Sequence, residues 1–258
     1  RSDALGHLAN MLKEQNRGGE ALAALDEALS IVPGNPQHLF DKGVVYLEAQ
    51  DIDRAAAHFR QVLEAQPDFT SALLNLGYIT KSRGQFDEAE IYYRRAMACD
   101  ADGVEARANL AHLYLDMERF AEASALFTEV RRRKQGLVDI DLGLLVTCAH
   151  EGDFAAARQL LAAIARGFDE IQCEPGDVAG PDQAACTAKA LGEALLRRNR
   201  NKCAELALWA AVLLDGTLID ARRALAEVLF TGGQFWKAVP HLEAVLLSAP
   251  TDGAAFER

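Results

Sequence analysis

The chain has 258 residues, half of them apolar and a quarter charged, with a net charge of −11 and a pI near 5.0. That composition is ample for a continuous core and disfavours nucleic acid and anionic membrane as partners, because both are held by basic stripes. It mildly favours a neutral or basic protein partner, and no apolar run approaches the roughly 18 residues a membrane-spanning helix needs.

Residues 2–35, 36–69, 70–103, 104–137 and 138–171 align in a single 34-residue register, which lapses for 13 residues and resumes at 185–218 and 219–252. Counting Thr70 as position 1, position 20 is Ala21, Ala55, Ala89, Ala123, Ala157, Ala204 and Ala238. Position 8 is small in six repeats, with Leu145 the exception, and position 7 is Leu in six, with Lys42 the exception. Position 24 carries the large residues Leu25, Phe59, Tyr93, Phe127, Leu161, Leu208 and Leu242. One small residue on each of two helices lets their backbones approach, while the large residue fills the adjoining layer.

In the first repeat the pattern predicts helices over about 3–15 and 20–31, joined by a Gly18-Gly19 turn. The second opens on Pro36, a good helix starter. The third, 70–103, shows the pattern most clearly, with a Gly84-Gln85 turn before Phe86. The fourth ends in Arg131-Arg-Arg-Lys134, which reads as a solvated last turn complementing the helix dipole rather than a recognition patch. After the fifth repeat, 168–182 hold two prolines, two glycines and five acids, with no Lys or Arg between Arg166 and Lys189. This stretch reads as a loop, either a hinge or an acidic contact element. Its acids lack the regular spacing of a calcium loop. Pro240 falls about a turn into the last helix and should kink or delay it.

The residues at positions 4, 7, 8, 17, 20, 24 and 27 (Leu73, Leu76, Gly77, Phe86, Ala89, Tyr93 and Ala96 in the third repeat) resemble the tetratricopeptide repeat family. The resemblance implies an all-α, right-handed superhelical solenoid of seven helix–turn–helix repeats, organised as repeats 1–5 over 2–171, a loop insertion over 172–184, repeats 6–7 over 185–252, and the start of a further helix over 253–258. Both ends read as cut from a longer protein, since the sequence starts one residue before a repeat boundary and ends with Phe256 at position 4 of an eighth unit.

In this family the first helix of each pair lines a concave groove that holds extended peptides or partner helices. Groove positions give Asp41, Asn75, Tyr78, Lys81, Asn109, His112 and Asp116 as partner-binding candidates across repeats 2–5, together with Glu48, Glu105, Asp139 and His150. Asn75 and Asn109 resemble a two-rung piece of the asparagine ladder in the repeat arm of O-linked N-acetylglucosamine transferases, each amide able to bond both an N–H and a C=O of an extended chain. The alternative is that each Asn bonds within its own repeat. The family's carboxylate clamp is not matched: Phe40, Val44, Asn75, Glu105 and Asn109 stand at its five positions, and only Asn75 fits.

The outer face of the second helix is polar in repeats 1–4, but repeat 6 carries Leu206, Trp209 and Leu213 there and repeat 7 carries Leu247. A helix apolar nearly all round is buried, so this convex patch requires a cover. The insertion could supply it through Phe168 and Ile171, or a second subunit could dock there as a homo-oligomer.

Of the five cysteines, Cys99, Cys148, Cys173, Cys186 and Cys203, none forms a C-x-x-C pair, so zinc is not indicated. An odd count leans toward a reducing, cytoplasmic location. A periplasmic alternative would leave room for a Cys173–Cys186 bridge. No nucleophile elbow, phosphate loop or metalloprotease helix is present. The reading is therefore a scaffold for a protein or peptide partner, with no catalysis, metal or cofactor of its own. The alternative is a substrate-recruiting arm of a larger enzyme such as a glycosyltransferase.

Overall fold

The computed structural model describes residues 1–167 and 181–248, with side chains described from 183 in the second segment. The fold is all-α. Among the described residues fourteen helices pair as seven helix–turn–helix units: α1 (Ser2–Glu14) with α2 (Gly18–Ile31), α3 (Pro36–Glu48) with α4 (Ile52–Ala65), α5 (Thr70–Ser82) with α6 (Phe86–Cys99), α7 (Glu105–Asp116) with α8 (Phe120–Arg133), α9 (Val138–Glu151) with α10 (Phe154–Ala165), α11 (Pro181–Arg197) with α12 (Asn201–Leu214), and α13 (Ile219–Thr231) with α14 (Phe235–Ser248).

Each pair closes through the same local geometry. Position 15 has a positive φ in all seven repeats: Asn16, Gln50, Gly84, Glu118, Gly152, Asn199 and Gly233. The next residue's N–H reaches back five residues, as in Arg17 N to Leu12 O (2.9 Å), Gln85 N to Thr80 O (2.9 Å) and Gln234 N to Leu229 O (2.8 Å). This Schellman-type closure satisfies a carbonyl at the end of the first helix and reverses the chain. Four of the seven left-handed sites are not glycine, so each of those four repeats carries a backbone cost that packing elsewhere offsets. The Gly18-Gly19 pair, by contrast, opens α2. The turn of the first repeat lies at Gln15–Arg17, with its left-handed residue Asn16 two residues before the first of those glycines.

The seven position-20 alanines are 0–1% exposed, as the register requires. The large position-24 residue sits over the position-8 glycine of the same pair. A Cβ added to Gly43 would lie 2.5 Å from the Phe59 ring, and one added to Gly77 would lie 2.5 Å from the Tyr93 ring. Gly77→Ala is therefore expected to destabilise, by about 1–2 kcal/mol from overpacking, although alanine in a free helix would gain about 1 kcal/mol over glycine. Urea unfolding followed by circular dichroism reads the sign.

The exceptions have local explanations. Lys42 replaces a core leucine, but its stem runs through the core while its ammonium meets Asp26 Oδ1 at 2.6 Å. Leu145 at position 8 is tolerated because the large residue approaching α9 comes from the preceding repeat: Phe127 packs over Gly143, where a Cβ would lie 2.5 Å from the ring. In the basic run, Arg131 pairs with Asp141 (2.9 Å) and Arg133 with Glu129 (2.9 Å). Pro240 does not delay its helix, since α14 begins at Phe235, position 17, where the other second helices begin. α11 starts at Pro181, so residues 181–184, read as loop from sequence, are helical. A proline suits a first helical position because its missing N–H has no partner there to lose.

The helices group into two compact units, Arg1–Leu113 and Tyr114 onward, the division falling inside α7. In the first unit each helix packs on the next from α1 to α6, and Leu73, Ala96 and Ala106 join α5, α6 and α7. The second unit is organised differently. α9 packs not only on α8 and α10 but also on α12, which in turn packs on α11 and α13. Helix α9 is buried on almost every side, with Ile140, Leu142, Leu144, Leu145, Val146 and Ala149 at most 5% exposed.

Candidate functional site

In the first unit α3, α5 and α7 carry six of the seven groove candidates at matching register positions, 34 residues apart. Their environments differ. Asp41 is only 7% exposed, and its Oδ1 accepts from Gln37 Nε2 at 2.9 Å. Burial raises its carboxyl above the ordinary range, against the pull of the Gln37 bond and of Lys13 and His38. His112 is likewise buried. Asn75, Lys81 and Asn109 are half-buried, and Tyr78 is exposed. The face that a partner can reach is thus narrower than the register suggests, centred on Asn75, Tyr78 and Lys81 of α5 with Asn109 of α7.

Asn75 does bond within its own helix: Nδ2 donates to Ser71 O at 2.8 Å. That bond uses one donor and restrains the amide, whose Oδ1 and second N–H are the groups left for a ligand. A fixed amide is a better rung for an extended chain than a mobile one, because less side-chain entropy is lost on binding.

In the second unit three sequence readings are corrected. Asp116 is not open to a groove ligand: it holds Lys237 of α14 at 2.6 Å, with both side chains largely buried. Repeat 5 does not offer its groove positions Leu142, Gly143, Val146 and Ala149 to a ligand, because they are buried and α12 packs on α9. The convex apolar patch is not a free surface. Leu206 is 5% exposed, Leu213 is half-buried, and half-buried Trp209 meets the Phe120 ring edge-on at 6.0 Å, Phe120 itself stacking on His150 at the end of α9. Helix α9 of the same chain packs on α12, while Trp209 and Leu213 remain partly exposed. Leu247, 85% exposed on α14, stands apart from that cluster. The signal for this arrangement was present in the sequence: α9 is as apolar all round as α12, and two such helices can bury each other.

The insertion residues Phe168 and Ile171, Cys173 with any bridge to Cys186, and the 253–258 segment all lie outside the described residues. Among the described residues Cys99, Cys148, Cys186 and Cys203 are free thiols, no cluster of three or more His, Cys, Asp or Glu could hold a metal ion, and no helix is long and apolar enough to cross a membrane.

Three sequence profiles, each described as Tetratricopeptide repeat, match residues 2–32, 40–104 and 81–139, together just over half of the chain. The chain belongs to the tetratricopeptide repeat family. Tetratricopeptide repeat proteins act in protein–protein interaction, and that general role follows from membership. No curated protein matches the sequence significantly. Among solved structures the chain is similar to the pilF protein of Pseudomonas aeruginosa (TM-score 0.62, 18% identity, covering 88% of this chain and 97% of that one). It is also similar to MamA of Desulfovibrio magneticus RS-1 (0.59, 17%, 65% and 97%). A third is YrrB, described as a tetratricopeptide repeat protein with an unusual peptide-binding site (0.55, 15%, 78% and 97%). At these identities the likeness is one of fold alone.

Proposed function

We propose that this tetratricopeptide repeat chain is a scaffold that holds an extended polypeptide along α5 and α7 of the first unit. Asn75 and Asn109 would bond the partner's backbone, Tyr78 would pack on one of its side chains, and Lys81 would orient it. The observation that carries this reading is the contrast along α5: Leu73, Leu76, Ile79 and Thr80 are wholly buried, while Tyr78 is 58% exposed beside the Asn75 amide. An exposed aromatic next to a fixed amide offers contact area and backbone hydrogen bonds together. The net charge of −11 favours a neutral or basic segment.

Peptides selected by display against the whole chain provide the test. The Asn75→Ala/Asn109→Ala variant should bind them about thirtyfold more weakly, the loss of two backbone-directed bonds at roughly 1 kcal/mol each. Equal affinity in wild type and variant would remove the asparagine rungs. A photo-crosslinker at position 78 that failed to capture the selected peptides would remove the α5 face altogether.

A further inference from the structure

In the first unit successive helix pairs join through one repeated contact. Val45, at position 10 of α3, packs on Ala21 and Leu22 of α2, and a Cβ on Gly18 would lie 3.5 Å from its Cγ1. Leu76 and Ile79, at positions 7 and 10 of α5, share a core with Leu47, Ile52 and Ala56 of the α3–α4 pair. Positions 7 and 10 of a first helix thus seat against positions 12, 17 and 21 of the pair before it.

Both sides of this contact also stand open to solvent on the molecule. Position 10 is Val45, Ile79, Leu113, Thr147, Ala194 and Val228 in six pairs, all buried, yet Met11 of α1 is 58% exposed. Leu8, at position 7, is 45% exposed where the other pairs bury a leucine or half-bury Lys42. On α13 and α14, positions 12 and 21 are Phe230 and Val239, both exposed, whereas these positions are buried or half-buried in every other pair. Phe235, at position 17, is 55% exposed and meets Phe230 edge-on at 4.9 Å. Trp236 borders them at position 18, which is exposed in all seven pairs, so the register does not call for an indole there.

We propose that α1 of one copy of this chain seats on the α13–α14 face of a second copy, with Leu8 and Met11 packed against Phe230, Phe235 and Val239.

Three things select a second copy as the occupant. The contact repeats one that the chain already makes between its own helix pairs, so it needs no new geometry. Both faces are apolar and belong to one molecule, so each copy supplies what the other leaves open, and burying such a patch is favourable. Met11, unbranched and adaptable, suits a face built of aromatic rings. Because the joined faces differ, the interface is heterologous: a pair of copies still has one face of each kind free, and association continues until a ring closes or proceeds as an open chain. Each copy carries a net charge of −11, so copies repel, and screening by salt should strengthen the association.

Light scattering and sedimentation of the whole chain from about 1 μM to about 0.5 mM should give a mass that rises with concentration, more steeply with added salt. Both tryptophans, Trp209 and Trp236, lie in the second unit, and Trp236 borders the face, so tryptophan emission should shift over the same range. Met11→Glu and Val239→Glu, both at exposed positions, should keep the circular dichroism of wild type, and each alone should stay monomeric. Mixed, they should form a dimer and nothing larger, because Met11→Glu retains the α13–α14 face and Val239→Glu retains α1. A photo-crosslinker at position 239 should join two chains at α1. Wild type that stays monomeric throughout would overturn the proposal. So would a mixture that does not dimerise, or crosslinks found only within one chain, which would mean that the chain's own residues fill the face.

Discussion

Phe127→Ala is expected to cost about 3–5 kcal/mol, the range for truncating a fully buried aromatic that leaves a cavity its neighbours cannot fill. Phe127 is 0% exposed, and its ring fills the space that Gly143 leaves open between α8 and α9. The walls of that space are held from other directions. Ala123 fixes α8 one turn away, Val130 seals the next layer, and α9 is gripped by α8, α10 and α12 together. Collapse into the void is therefore restricted, which puts the cost toward the upper part of the range. Because α9 is the central helix of the second unit, the loss should appear in tryptophan fluorescence, as a shift of the urea midpoint to lower concentration. Phe127→Leu, which keeps most of the volume, should lose much less. Equal losses for leucine and alanine would mean that the ring does not fill that space.

Trp209→Ala is expected to cost about 2–3 kcal/mol, less than a fully buried indole would, because Trp209 is only half-buried. The important outcome is the one that should not change. Trp209 meets Phe120 within the same chain, at 6.0 Å and 63° between ring planes, and Phe120 stacks on His150. The indole is part of an internal aromatic run joining α8, α9 and α12. Its removal should lower the thermal midpoint measured by circular dichroism and leave the mass measured by light scattering unaltered. A change of mass with unchanged stability would mean that this face of α12 meets another subunit.

Much of this protein was legible in its sequence because close packing of two helices leaves few choices. An alanine every 34 residues, a small residue at position 8 and a large one at position 24 specify a hairpin whatever the surface does, and the buried Ala21, Ala55 and Ala89 with the Gly77–Tyr93 contact show that rule at work. The turns were less legible. Asn16, Gln50, Glu118 and Asn199 adopt the left-handed conformation without being glycine, since the packed helices on either side fix the chain direction and a modest backbone cost can be carried. For the same reason Gly18-Gly19, the most turn-like dipeptide of the first repeat, lies in a helix.

The candidate site was legible only as a register. Asp41 and His112 occupy groove positions by number, yet both are buried, because exposure at a given position depends on the side chains of the neighbouring helices. Lys42 shows the converse: a charge at a core position is accommodated because Asp26, sixteen residues earlier, stands where its ammonium emerges.

The sequence alone determined that this chain is built of paired helices in a 34-residue repeat, which residues join the pairs, and which face of each first helix is free of that duty. Those are local requirements, set by side-chain volumes within one hairpin. Only the tertiary structure decided that α12 lies on α9, that Asp116 pairs with Lys237, and that the apolar face of repeat 6 is partly covered by the chain itself. The periodicity shows that a helix is apolar all round. It does not show which distant helix will cover it, because any apolar surface of suitable shape lowers the free energy by a similar amount, and the choice is made by geometry across more than fifty residues of chain.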